Sequence, residues 1–223
     1  MKNKYVSQLS NCFRQQANLE IASQQQAYMK GKFEYFGLKS PVRKELQKPF
    51  LLKSSLPDIN ELTPTIKELW TQPQRECQYF AQELLFKYHR QFEVRELVLM
   101  EFMVTEKSWW DTVDFIASNC MGRYFMLHPE QTKNVTRRWM DTGNMWLQRS
   151  ALLFQLKYKN HLDTDLLEEY IPKLLGSKEF YINKAIGWAL RQHSKTDPNW
   201  VLEFAARTDL APLSRKEALR LIA

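Results

Sequence analysis

The sequence is short of the residues that build and turn β-structure. Of 223 residues only 6 are glycine and 9 are proline, and Val and Ile number 8 each against 29 Leu. An all-β chain needs β-branched side chains on its pleats and frequent turn residues between strands, so this balance excludes one and reads as all-α. Cysteine is scarce as well. Cys12, Cys77 and Cys120 are odd in number and far apart, which leaves no internal disulfide framework and no C-x-x-C motif. No apolar run approaches membrane-spanning length, and the N-terminal "MKNKYVSQLSNCFRQQ" lacks the apolar core of a signal peptide. A cytoplasmic chain with no membrane partner is expected. His89, His128, His161 and His193 are scattered, with no i, i+4 pair to ligate a metal. "HPE" at His128–Glu130 echoes the H-x-E of zinc deaminases, but no P-C-x-x-C follows it. There is no glycine-rich phosphate loop; Gly187 stands alone in a helical pattern. Neither a metal nor a cofactor is expected.

What is present suffices for one substantial core. Hydrophobic residues make up 44% and charged residues 26%, and no linker-like tract divides the chain, so a single domain over residues 1–223 is expected. The formal charge is +7. That suits an anionic partner such as nucleic acid, and equally a merely soluble basic protein.

Capping boxes suggest helix starts at Thr71 with Gln74, Ser108 with Asp111, and Ser214 with Glu217; Asn144 and Ser177 are further N-cap candidates. Pro-bearing Ser55–Thr65 and Thr196–Asn199 read as connections. The helices share a texture, basic or polar first and apolar after. The landmarks Arg75, Trp110, Arg149, Lys184 and Arg215 recur at intervals of 31 to 39 residues. That is near the period of two-helix solenoid repeats, so the expected architecture is a curved α-solenoid of HEAT-like repeats with a basic concave face.

The stretch "KSWWDTVD" places two tryptophans beside two acids. Asp111 is accounted for by the capping box. Trp109, Val113, Ile116 and Cys120 fall on one helical stripe, a core pattern, whereas Trp110, Asp114 and Ser118 fall on a neighbouring face. That face is either an edge tryptophan beside a solvated acid, or a ligand site. In "NKAIGWALRQHSK", Ile186, Ala189, Leu190 and His193 form the apolar stripe, and Lys184, Trp188, Arg191 and Lys195 another. A tryptophan among cations suits phosphates and a sugar or base; a snorkelling basic edge around a half-buried Trp is the alternative. Arg149, near a helix N-terminus, suits a phosphate or a structural salt bridge.

"KSWWDTVD", "NMWLQRSALLFQLKYK", "GSKEFYINKAIGWALR" and "LAPLSRKEA" resemble the AlkD-type DNA glycosylases of alkylation repair, from about Tyr28 to the end and most strongly between Glu106 and Arg191. The resemblance implies a HEAT-like solenoid acting as a monomer on double-stranded DNA in a bacterial cytoplasm. It also implies excision of cationic N3- and N7-alkylated purines without base flipping. It makes Asp114 the catalytic carboxylate, Trp110 and Trp188 the aromatic pair flanking the lesion, and Arg149 the phosphate clamp. Beyond those four, Lys184 and Arg191 on the face of Trp188, together with Lys39 and Tyr28, are read as further DNA contacts, Lys39 standing after "FGL" where an uncharged polar residue is expected. An Asp114 locked in an internal salt bridge, or turned to the convex side away from Trp188 and Arg149, would count against the glycosylase reading as a whole. The alternative is a non-catalytic nucleic-acid-binding or protein-interaction helical-repeat protein.

Overall fold

The computed structural model describes residues 3–222. Its elements are helical throughout, apart from one isolated bridge between Glu34 and Gln74. They fall into two compact units, residues 1–91 and 92–223.

The first unit contains α1 (Lys4–Gln15), α2 (Leu19–Tyr28), α3 (Ser40–Gln47), α4 (Ile59–Thr71) and α5 (Arg75–Lys87), with short 3-10 turns after α3. Leu9 and Phe13 of α1, Leu62, Ile66, Leu69 and Trp70 of α4, and Phe80 and Leu84 of α5 form its core. The loop before α3 is held from inside. Buried Glu76 accepts the backbone N–H groups of Phe36, Gly37 and Leu38 at 3.0, 3.0 and 3.1 Å. Gly37 has φ 86°, and a Cβ there would lie 1.9 Å from the Asn18 carbonyl oxygen, so only glycine closes this turn.

The second unit contains α6 (Val94–Thr105), α7 (Trp110–Phe115), a π-helical turn (Ile116–Met121), α8 (Gly122–Leu127), α9 (Thr132–Asp141), α10 (Met145–Leu153), α11 (Thr164–Lys173), α12 (Phe180–His193), α13 (Pro198–Arg207) and α14 (Pro212–Leu219). The central α10 buries Ala151, Leu152 and Leu153 and packs against α7, α9 and α12. Both expected core stripes are buried: Trp109, Val113, Ile116 and Cys120, and Ile186, Ala189, Leu190 and His193.

The widened π turn has a visible cause. Ser118 Oγ donates to the Asp114 carbonyl at 2.7 Å and Asn119 Nδ2 to the Phe115 carbonyl at 2.9 Å. Side chains thus bond the i−4 carbonyls that backbone N–H groups would otherwise take, which favours a wider turn.

Most of the expected caps are corrected. Ser108 Oγ donates to the Val104 carbonyl, and α7 begins after an extended Trp109 with no side-chain cap. Thr71 Oγ1 bonds the Glu68 carbonyl at the end of α4, and α5 starts only at Arg75. Ser214 lies inside α14 and donates to the Asn183 carbonyl. Ser177 precedes the N-cap of α12, Glu179, by two residues. Asn144 does cap α10, accepting from Trp146 N at 2.9 Å and Leu147 N at 3.2 Å. The stretch expected as a connection at Ser55–Thr65 is helical from Ile59, because Asp58 caps α4 ahead of Pro64.

Candidate DNA-facing site

Lys107, with φ 48°, turns the chain out of α6 and into the Trp109–Trp110 pair. Trp110 and Asp114 then lie one turn apart on α7, both half-buried. The Asn144 cap starts α10, and Arg149 follows in its second turn, pointing at α7. Arg149 Nε donates to Asp114 Oδ1 at 2.7 Å and Nη2 to Oδ2 at 2.8 Å, a bidentate fork. Nη1 donates to the Tyr181 carbonyl in the first turn of α12. One guanidinium therefore ties together α7, α10 and α12.

The Arg149 side chain is 5% exposed and that of Asp114 15%. Around them stands an aromatic cluster: the rings of Trp109 and Tyr181 are 5.0 Å apart, Trp146 and Tyr181 5.3 Å, and Trp109 and Trp146 5.9 Å. Burial pushes the Asp114 carboxyl above its ordinary range, while the Arg149 hydrogen bonds and charge pull it back only in part.

Two expectations change here. Arg149 was expected to offer its fork to a phosphate; it is buried and commits that fork to Asp114. Asp114 was expected as an available carboxylate; it is locked in an internal ion pair with Arg149, the outcome set against the glycosylase reading. Sequence reasoning underrated Trp146 and Tyr181. Their signal is their position, in the first turns of α10 and α12.

On α12, Tyr181, Lys184, Trp188 and Arg191 share one face by helical spacing, and all four are half-buried. The two cations do not stand free. Lys184 Nζ meets Glu217 Oε1 at 2.9 Å, and Arg191 Nη1 meets Glu217 Oε2 at 2.6 Å. Glu217 comes from α14, which presses close: a Cβ on Gly187 would sit 2.5 Å from Glu217 Cβ and 2.9 Å from the Ser214 carbonyl oxygen. The lone glycine of the pattern is thus a helix-contact residue.

In the first unit, Tyr28 ends α2 and is 73% exposed. Lys39 is exposed at the N-cap position of α3, next to the loop that Glu76 anchors. Among the described residues no cluster of three His, Cys, Asp or Glu is placed to hold a metal ion, and no helix is long and apolar enough to cross a membrane.

Comparison with known proteins gives these geometries a setting. A search of curated proteins finds no match. The chain is similar to a solved structure of a predicted DNA alkylation repair enzyme from Enterococcus faecalis, with 34% identity and a TM-score of 0.87 over 93% of this chain and 97% of that one. The family model described as DNA alkylation repair enzyme matches residues 9–222, across both units, and the chain belongs to that family.

Proposed function

We propose that this chain is an AlkD-type DNA glycosylase that hydrolyses the N-glycosidic bond of cationic N3- and N7-alkylated purines. The observation that carries the reading is the match of residues 9–222 to the DNA alkylation repair family; the Asp114–Arg149 ion pair stands against it, and the carboxylate keeps 15% exposure on a helix face it shares with Trp110.

An alkylated purine already carries positive charge. When its C1′–N bond breaks, the bonding electrons pass to the ring and the base leaves neutral, so no general acid is needed. What remains is an oxocarbenium-like sugar and an attacking water. The water oxygen bonds C1′ and its proton is released to a base. A carboxylate can stabilise the cation and take that proton. Trp110 and Trp188 would offer π faces to the cationic sugar, each worth about 0.5–2 kcal/mol.

The ion pair constrains this mechanism. Paired with Arg149, Asp114 presents a dipole rather than a bare charge, and a dipole stabilises a cation less. Its compensation is orientation. Each carboxylate oxygen has a lone pair beyond the one the fork engages, and the fork fixes where those lone pairs point. Arg149 thereby becomes a positioning residue rather than a phosphate clamp.

The same pair favours a second reading, in which it only braces α7 against α10 and the protein binds DNA without cleaving it. Chromatography of free modified purines released from methylated DNA separates the two. The glycosylase reading expects release by wild type, slowed roughly 10²–10³-fold in Asp114→Asn with DNA binding retained. Equal release by both would remove Asp114 from the chemistry, and no release by wild type would leave the binding protein. If the base is not flipped, as the resemblance implies, bulky cationic N7 adducts are expected as substrates too; failure on every bulky N7 adduct with small ones excised would argue for an enclosing pocket.

A further inference from the structure

The basic face of α12 is held shut from behind. Glu217 is the acid in ion pairs with both Lys184 and Arg191, at 2.9 and 2.6 Å, and its own side chain is only 13% exposed. The two cations lie seven residues apart, two turns of α12, with Trp188 between them on the same face. One carboxylate therefore spans the stretch in which a backbone phosphate beside Trp188 would have to bind. It is no loose surface acid. The close approach at Gly187 brings the Glu217 Cβ and the Ser214 backbone against α12, and Ser214 one turn earlier on α14 donates to the Asn183 carbonyl at 2.9 Å, fixing α14 in register.

We propose that Glu217 is a positioning residue that regulates polyanion binding: it occupies Lys184 and Arg191 in the free protein and yields them when DNA phosphate arrives. This rests on the reading of the Trp188 face as DNA-contacting. A phosphate near the pair must displace the carboxylate or be repelled by it. Either way Glu217 lowers the affinity for undamaged duplex and reduces the number of counterions released on binding. Such a device would favour turnover and search along DNA over tight parking on it.

The test is fluorescence anisotropy of the full chain on a short unmodified duplex across a salt series. Glu217→Gln keeps the side chain's shape and removes its charge. The slope of log K against log salt should steepen by about 0.9 for each phosphate newly engaged, hence by about 1 to 2, and each such phosphate is worth roughly eightfold over a tenfold fall in salt. Lys184→Gln/Arg191→Gln serves as the second background. There, Glu217→Gln should change neither slope nor affinity. An equal gain in both backgrounds would mean a general charge effect and overturn the proposal. So would an unchanged slope in Glu217→Gln with only a lowered melting temperature, the signature of a purely structural cross-link. Binding without base release would overturn the glycosylase reading and leave this inference standing. No binding by wild type or Glu217→Gln would overturn this inference, while base release from methylated DNA would still decide the glycosylase reading.

Discussion

At the scale of residues, the pair Asp114–Arg149 decides most. A bidentate guanidinium on a nearly buried carboxylate is costly to break one side at a time, because the remaining charge stays desolvated. Arg149→Ala should therefore lose about 3–5 kcal/mol of stability at neutral pH, measured by urea unfolding. A surface phosphate clamp would lose DNA affinity with little change in stability, so the same variant distinguishes the two roles. The pH dependence follows from the raised Asp114 pKa. Burial favours the protonated form in the folded state, so the native chain holds this proton longer than the unfolded chain does. Ionising Asp114 thus costs stability as pH rises from the ordinary value of 3.8 through the raised folded one. The proposed glycosylase reaction would need the ionised form, which fades as pH falls through that same raised value. The acid limb of the excision profile should lie above 3.8 and vanish in Asp114→Asn; a limb at or below the ordinary range would assign it to another group.

At the scale of elements, the contact of α12 with α14 turns on Gly187. Mid-helix, Gly→Ala ordinarily gains about 1 kcal/mol from propensity alone. Here the added methyl would meet Glu217 Cβ at 2.5 Å and backbone oxygen at 2.9 Å, and overpacking costs about 1–3 kcal/mol. The clash outweighs propensity, so Gly187→Ala should lower the melting temperature; a rise would show that α14 yields freely. Gly187 also shows where the sequence stops being legible. Apolar stripes at helical spacing are a local property, which is why Val113, Ile116 and Cys120, and Ile186 and Leu190, are buried as their periodicity implies. Partners are not local. Asp114 meets Arg149 across 35 residues and Lys184 meets Glu217 across 33, and nothing in either pattern names the other. Hydroxyl caps failed for a related reason. Ser108, Thr71 and Ser214 each had a competing carbonyl within reach, whereas Asn144 found the N–H groups of its own helix. The π turn after Asp114 likewise depends on where Ser118 and Asn119 donate, which their identity alone does not fix.

At the scale of the whole molecule, the charge is unevenly shared. Residues 1–91 carry 14 Lys and Arg against 8 Asp and Glu, a formal +6, while residues 92–223 carry 18 against 17, a formal +1. The unit that holds Asp114 and Arg149 is thus nearly neutral overall, its cations largely matched by acids such as Glu217, Glu169 and Glu101. The surplus that composition assigns to an anionic partner belongs to the other unit. There Lys30, Lys39, Lys44 and Lys48 are all exposed around α2 and α3. Because counterion release scales with the phosphates neutralised, this unit should set the electrostatic part of DNA affinity and the second unit the chemistry. Changing all four lysines to Gln should reduce the salt slope of duplex binding by about 0.9 for every phosphate left unneutralised, hence by up to about 3.6. Base release at saturating DNA should be unaltered, since none of the four belongs to the unit with Asp114. A slope that stays constant in the quadruple variant would place the DNA-binding surface elsewhere and make the +6 a matter of solubility. A fall in release at saturation would tie the first unit to the chemical step instead of to binding.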